Sequence, residues 1–192
     1  MGAMIAVERI PTEEAKAVIC KIIAAAGGEL HGMMVLYKAF YKAHLIYFKN
    51  TDLELTGYPI VNMPHGPGID KVLELLDELR AEKKIEFWQG NGTLRSEYGF
   101  RAVVPVRLGA NPADRAIREG LNWANSFANN DALSHASHGP SWYDSSSGQE
   151  QSIHLDLMTR EEVKRLKDRI DERSADVMEA FSSSVDRLEQ PA

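Results

Sequence analysis

Two histidines three positions apart, His135 and His138, come closest in type and spacing to a chemical site. On a helix they would lie on one face, and His154 or Asp144 could complete the imidazole and carboxylate set that zinc accepts. The pair belongs to no metalloprotease pattern with a glutamate, and Gly139-Pro140 would break the helix at once. We therefore expect structural histidines held by hydrogen bonds, and the sequence predicts no metal and no cofactor.

The same histidines also allow a hydrolase as an alternative function. Ser134 and Ser137 are their neighbours in sequence, but a catalytic triad depends on geometry rather than on sequence proximity. Catalysis would require His135 or His138 to face an open cleft beside a carboxylate. Without such a set in the sequence, we expect no enzyme activity.

The single cysteine, Cys20, lies beside Ile19 and Ile23 on the apolar side of a predicted helix. A nucleophilic thiol needs an exposed, electropositive setting, so we expect Cys20 to be buried and unreactive. One cysteine excludes an intrachain disulfide and favours a reducing compartment, so we expect a cytoplasmic location.

The loop His65-Gly66-Pro67-Gly68 precedes a predicted helix, where backbone N–H groups can bind an anion. The chain contains neither of the glycine motifs that bind nucleotide phosphates, and Gly90-Asn91-Gly92 alone indicates a turn. The loop is therefore predicted to be a tight turn that fixes the entry of the helix.

The bulk composition is that of an ordinary globular protein. The 192 residues are 44% hydrophobic and 26% charged, and they fit one domain spanning 1–192, of which 1–11 are expected to be flexible. No apolar run approaches the about 20 residues that cross a bilayer, so no membrane partner is expected. The net charge of −6 argues against nucleic acid, whose binding depends largely on lysine and arginine.

Helical periodicity and chain breakers predict the elements that position these residues. The predicted helices are Glu13–Ala26, Leu30–Phe48, a helix with apolar positions from Ile69 to Leu79, one starting at Asn111-Pro112, and a long C-terminal helix over 159–188. The only β region expected is Lys84–Leu108, while Thr51–Pro67 is expected to be a loop and Asp131–Ser152 a structured loop or a short helix plus loop. The fold class is therefore mainly α (α+β): a helical domain of about five or six helices with one small antiparallel β-hairpin.

The helix from Ile69 and the hairpin that follows look like the second half of a winged-helix unit, which makes a DNA-binding regulator the first alternative function. Six basic residues in this region stand against six acidic ones and leave no basic face for DNA. The residues counted are Lys71, Arg80, Lys83, Lys84, Arg95 and Arg101 against Glu74, Asp77, Glu78, Glu82, Glu86 and Glu97. Helix-plus-wing folds also serve as protein-binding scaffolds.

Two stretches of the chain form a recognisable pair. The first is Leu36-Tyr37-Lys38-Ala39-Phe40-Tyr41-Lys42-Ala43-His44 with Leu53-Glu54-Leu55-Thr56-Gly57, continuing to His65-Gly66-Pro67-Gly68 and the next helix. The second is Leu133-Ser134-His135-Ala136-Ser137-His138-Gly139-Pro140-Ser141-Trp142, which precedes a terminal helix. In this order and spacing they resemble the Panacea domain, the SocA-like antitoxin family of bacterial and phage toxin–antitoxin systems, over roughly Leu30 to Glu162.

The resemblance implies a non-enzymatic antitoxin-type domain whose partner is a protein. Such domains neutralise a cognate toxin by direct contact, and one member delivers its toxin to a protease as an adaptor. The family-motif positions that it suggests for binding are His65, Gly66, Pro67, His135, His138 and Trp142. A homo-oligomer is compatible with this interpretation.

Overall fold

A computed structural model describes residues 12–90, 97–158 and, within 161–174, all residues except 163, 166 and 172. Its helices are α1 (Thr12–Ala25), α2 (Met33–Thr51), α3 (Val72–Ala81), α4 (Pro112–Asn125), α5 (Asn130–Ala136), α6 (Pro140–Asp144) and α7 (Ile153–Asp156). Its strands are β1 (Glu29–His31), β2 (Ile60–Met63), β3 (Gly66–Ile69), β4 (Ile85–Gly90) and β5 (Glu97–Ala102). The predicted α+β class with a dominant helical part is therefore confirmed.

Helix α2 is the centre of the core, and its main neighbour is α4. Buried Leu36 and Phe40 of α2 belong to the same apolar cluster as Ile117 of α4. The two helices cross closely at Gly120, where an added Cβ would lie 2.7 Å from Ala39 O of α2. A glycine at this point thus allows the backbones of the two helices to come into contact.

The larger sheet has three strands in the order β1-β5-β4, and neighbouring strands are antiparallel. The predicted hairpin corresponds to β4 and β5, and the third strand, β1, was not predicted. Leu30, predicted to open the second helix, lies in β1 opposite Phe100, and the helix starts only after Gly32, which has φ +94°. Strand β5 ends at Ala102 rather than at the predicted Leu108. Pro105, which has no backbone N–H, lies in the irregular segment beyond it.

A second sheet, formed by β2 and β3 as an antiparallel pair, lies in the region that was predicted to be a loop, so that prediction was wrong. Val61 pairs with Gly68 and Asn62 with Pro67 across the hairpin. Ile69, predicted to belong to the helix, ends β3, and α3 starts at Val72.

The polar region 131–152, expected to be a structured loop or a short helix plus loop, contains most of α5 and all of α6. The predicted helix start at Asn111-Pro112 is confirmed: the Asn111 side chain caps α4 by accepting a hydrogen bond from Asp114 N, and Pro112 is the first helical residue. Gly139-Pro140 separates α5 from α6, as expected of a helix breaker.

The described residues of 161–174 are helical and exposed, in the part of the chain predicted to be a C-terminal helix. The predicted start of that helix at 159, its remainder from 175 and the N-terminal residues 1–11 lie outside the described residues. None of the helices in the described ranges combines the length and apolar character needed to cross a bilayer.

Candidate functional site

The two stretches that carry the resemblance meet in the structure, although about 70 to 80 residues separate them in the chain. Ser134 Oγ donates a hydrogen bond of 2.9 Å to His65 O. Trp142 Nε1 donates one of 3.1 Å to Met63 O, and Asn62 Nδ2 donates one of 3.0 Å to Trp142 O. We call the two segments 62–67 and 134–142, held together by these bonds, the motif junction.

Gly66 lies at the centre of the motif junction. Its φ of +92° belongs to the left-handed region that favours glycine. A Cβ on Gly66 would lie 2.6 Å from Ser137 Oγ, 2.8 Å from His138 Cδ2 and 2.8 Å from Lys38 Nζ. Three chain segments therefore converge on a point that only glycine leaves open.

Lys38 of α2 supplies the third of these segments. Its side chain is almost completely buried, with 1% exposed, and Nζ donates a hydrogen bond of 2.8 Å to Pro67 O. Burial lowers the pKa of this amine to about 7, because the charged form loses its hydration. The sequence prediction did not single out Lys38. Its one signal was the apolar set of the second helix, which was too wide for a single stripe and so indicated burial on several sides.

His138 stacks on Trp142 with ring centroids 3.7 Å apart and an interplanar angle of 2°. Burial lowers the pKa of His138, and the charges of Lys38, His135 and His65 lower it further. Its Nε2 is buried and has no hydrogen-bond partner among the described residues. Burial and the neighbouring bases therefore disfavour the charged form of this stacked ring.

The predicted binding residues differ in accessibility. Gly66 and Pro67 are buried, His65 and His135 are exposed, and His138 and Trp142 are half-buried. Tyr143, which the sequence prediction did not include, is 63% exposed. Its ring lies edge-on to Trp142 at 5.0 Å between centroids. We call the side chains of His135, His138, Trp142 and Tyr143 the aromatic patch.

The residues considered for a metal set have other partners. The rings of His135 and His138 lie 5.6 Å apart, edge to face. His154 Nε2 lies 3.9 Å from Glu54 Oε1, and Asp144 pairs with Lys167. The structure does not bring these four residues together around one point.

A hydrolytic histidine would need a carboxylate to orient it. Across the described ranges, no hydrogen bond or ion pair joins His135 or His138 to a carboxylate, and the charges that act on His138 are all basic. Ser137 Oγ donates to Ser134 O at 2.6 Å, and Ser134 Oγ is engaged with His65 O. The junction serines are therefore used as structural hydrogen-bond donors.

The region considered for DNA binding carries paired charges. Arg80 contacts Asp77 at 2.7 Å, Lys84 contacts Glu82 at 2.6 Å, and Arg101 contacts Glu29 at 3.0 Å. Arg95 lies outside the described residues. Each of these three basic side chains already has an acidic partner, which disfavours a surface for phosphates.

Two further buried polar groups, His44 and Asp156, escaped the sequence prediction, and Asp156 contacts the motif junction. His44 Nδ1 donates a hydrogen bond of 2.8 Å to Phe40 O, and Nε2 accepts one of 2.9 Å from Thr56 Oγ1. Burial lowers the pKa of His44 to about 4. Asp156 of α7 accepts hydrogen bonds from Tyr41 OH and from the backbone N and Oγ of Ser141. Burial raises the pKa of Asp156. The Asp156 contacts fasten α6 and α7 to α2, whereas the His44 contacts hold the segment after α2 against that helix.

Comparison with protein-family models, with curated proteins and with solved structures gives no match to this chain.

Proposed function

We propose that this chain is a non-enzymatic protein-binding domain of the antitoxin type, which neutralises a toxin by direct contact or presents it for proteolysis. One observation carries the proposal: Ser134 of the second resembling stretch donates a hydrogen bond to His65 O of the first. The bonds of Trp142 with Met63 and Asn62, which directly precede His65-Gly66-Pro67-Gly68, join the same two segments of the motif junction. If the two motifs belong to one structural unit, they must lie side by side in the fold even though they are distant in sequence.

The aromatic patch is the surface that we propose for the partner. Exposed tyrosine and tryptophan side chains are typical interface hot spots, because they bury a large area at a low cost in conformational entropy. The stack of His138 on Trp142 and the hydrogen bond from Trp142 to Met63 O fix this surface before any partner arrives. Preorganisation of this kind favours tight binding.

The test is co-expression with the product of the neighbouring gene. We expect that product to arrest growth alone, to be harmless with the chain, and to co-purify with it. Tyr143→Ala should weaken the complex at least about tenfold, since hot-spot residues contribute more than about 1.4 kcal/mol. Leu73→Ala is the matched control, because Leu73 is also exposed (49%) but lies on α3, away from the patch.

A neighbouring product that is harmless without the chain, and a native lysate from which no protein co-purifies, would contradict the proposal. An equal effect of Tyr143→Ala and Leu73→Ala would reject the aromatic patch as the contact surface. Retardation of the chain's own promoter DNA at low salt would instead favour the DNA-binding alternative.

A further inference from the structure

The described part of the C-terminal helix lies at the surface of the domain and carries an apolar residue there. All eleven described residues of 161–174 are exposed, and Ile170 among them is 54% exposed. The helix is joined to the domain by the ion pair of Lys167 with Asp144 at the end of α6. An isoleucine on a helix that lies apart from the core is a reason to search the sequence of the whole helix for a contact face.

The sequence of this helix places apolar residues in steps of three, four and four. The pattern repeats after eleven residues, which corresponds to about 3.67 residues per turn and is typical of helices that wind around each other. Seven of its eight positions are large and apolar, and the eighth is a serine. We call these positions the hendecad stripe: Val163, Leu166, Ile170, Ser174, Val177, Phe181, Val185 and Leu188.

The steps of the hendecad stripe have the same order from either end. Two copies that run in opposite directions can therefore be aligned so that each position has a position of the other copy at its level. Val163 then comes level with Leu188 of the second copy, and Ile170 with Phe181. Such an arrangement has a two-fold axis and uses the same surface on both copies, which closes the assembly at two chains.

The charges beside the stripe decide between the two possible directions. From 160 to 169 there are five basic and three acidic residues, a net charge of +2, whereas from 171 to 189 there are two basic and six acidic ones, a net charge of −4. A parallel pair would place like-charged halves side by side. An antiparallel pair places the basic half of each copy beside the acidic half of the other, and charges flanking a coiled coil set its orientation in this way.

We propose that two copies of this chain pair along the hendecad stripe as an antiparallel coiled coil, so that the protein is a homodimer. The stripe spans about 38 Å at 1.5 Å per residue, and pairing removes seven apolar residues of each copy from water. The stripe shares no residue with the aromatic patch. The dimer is therefore independent of the proposed toxin partner.

Sedimentation equilibrium of the full chain at micromolar concentration tests the pairing. We expect a mass of twice 21.4 kDa. Ile170→Asp with Phe181→Asp should raise the dissociation constant of the dimer at least about a hundredfold, because each pair would bury carboxylates against apolar residues. The matched control is Ser182→Asp with Ser183→Asp, which adds the same charge to the same segment outside the stripe and should leave the dimer intact.

A wild-type chain that sediments at 21.4 kDa would overturn the proposal whatever the variants do. Equal effects of the two double variants would reject the stripe as the contact face. A monomeric chain that binds anionic lipid vesicles would assign the stripe to a membrane surface instead. Capture of the neighbouring gene product decides the proposed function separately, since a monomer that captures it refutes the dimer alone.

Disulfide crosslinking tests the direction, in a Cys20→Ala chain without other thiols. Under mild oxidation, Ile170→Cys chains mixed with Phe181→Cys chains should form a disulfide-linked pair. Ile170→Cys chains alone should not, because in the antiparallel dimer their two thiols are about 17 Å apart along the axis, which is too far for a disulfide. A disulfide between two Ile170→Cys chains would show a parallel pair and contradict the assignment.

Discussion

Two separate physical effects disfavour a side chain at Gly66: its backbone conformation and the close packing of its neighbours. A positive φ disfavours any L side chain, because Cβ approaches the following carbonyl oxygen. The contacts with Ser137, His138 and Lys38 would add steric overlap that the backbone conformation alone does not cause. A second glycine allows the two effects to be measured apart.

We predict that Gly66→Ala lowers the free energy of unfolding by about 3 kcal/mol, the sum of backbone strain and overpacking. Gly27→Ala is the control, because Gly27 has φ +83° but a Cβ added to it would meet no heavy atom within 4 Å. It should cost only about 1–2 kcal/mol. Urea unfolding followed by circular dichroism measures the free energy of unfolding of both variants. Equal losses would show that Ser137, His138 and Lys38 move away from the added methyl group at no energetic cost.

The crossing of α2 and α4 is set by Gly120, whose neighbours there are backbone atoms and not flexible side chains. In an ordinary helix interior, replacing glycine by alanine stabilises by up to about 1 kcal/mol. At this crossing an added methyl group would lie 2.7 Å from Ala39 O and 2.8 Å from Ala43 N. Only a shift of one helix could relieve that overlap.

We therefore predict the opposite sign: Gly120→Ala should lower the free energy of unfolding by about 2 kcal/mol. The control is Glu119→Ala, the adjacent position on α4, which should change stability by less than about 0.5 kcal/mol. A stabilised Gly120→Ala chain in thermal or urea unfolding would mean that the helices are further apart than the structure shows.

The elements with strong local signals were predictable from the sequence, and those fixed by distant contacts were not. Asn111-Pro112 specifies the start of α4 by itself, through a side-chain cap and a fixed φ. The β2–β3 hairpin carries Pro64, Gly66 and Pro67, which weaken every local β signal. Its pairing is supported instead by Asn62, which donates to Ser145 O more than 80 positions later.

The candidate site shows the same division. The motif residues His65, His138 and Trp142 could be named from their resemblance, and the structure does bring their two segments together. The wide apolar set of the second helix indicated burial on several sides, but it did not identify Lys38, because a lysine in such a pattern is ordinarily solvated. Its position follows from the hairpin that closes over α2, which is a tertiary contact.

The pH dependence of the stability of the complete fold follows from two buried bases. The pKa of Lys38 is about 7 in the folded state, against 10.5 for an exposed lysine. Between these values the unfolded chain binds more protons, so the free energy of unfolding rises with pH. His44 acts likewise at lower pH, with a folded pKa of about 4 against 6.5, so stability falls as the pH drops from about 6.5 towards 4.

We predict that the free energy of unfolding increases between pH 7 and pH 10 and that Lys38→Met removes most of this slope. Lys49→Met, an exposed position on the same helix, should keep it. Urea unfolding at a series of pH values measures the slope. Identical slopes for Lys38→Met and the wild-type chain would show that the Lys38 amine is hydrated in the folded protein.

The bonds across the motif junction also have a consequence for synthesis of the chain. The β2–β3 hairpin is complete at Ile69, but the indole that binds Met63 O belongs to Trp142, 79 positions after Met63. At translation rates of about 5–20 residues per second, Trp142 is joined to the nascent chain about 4–16 s after Met63. During that interval Lys38 and the hairpin lack the segment 134–142, so neither the motif junction nor the aromatic patch can form until most of the polypeptide has been made.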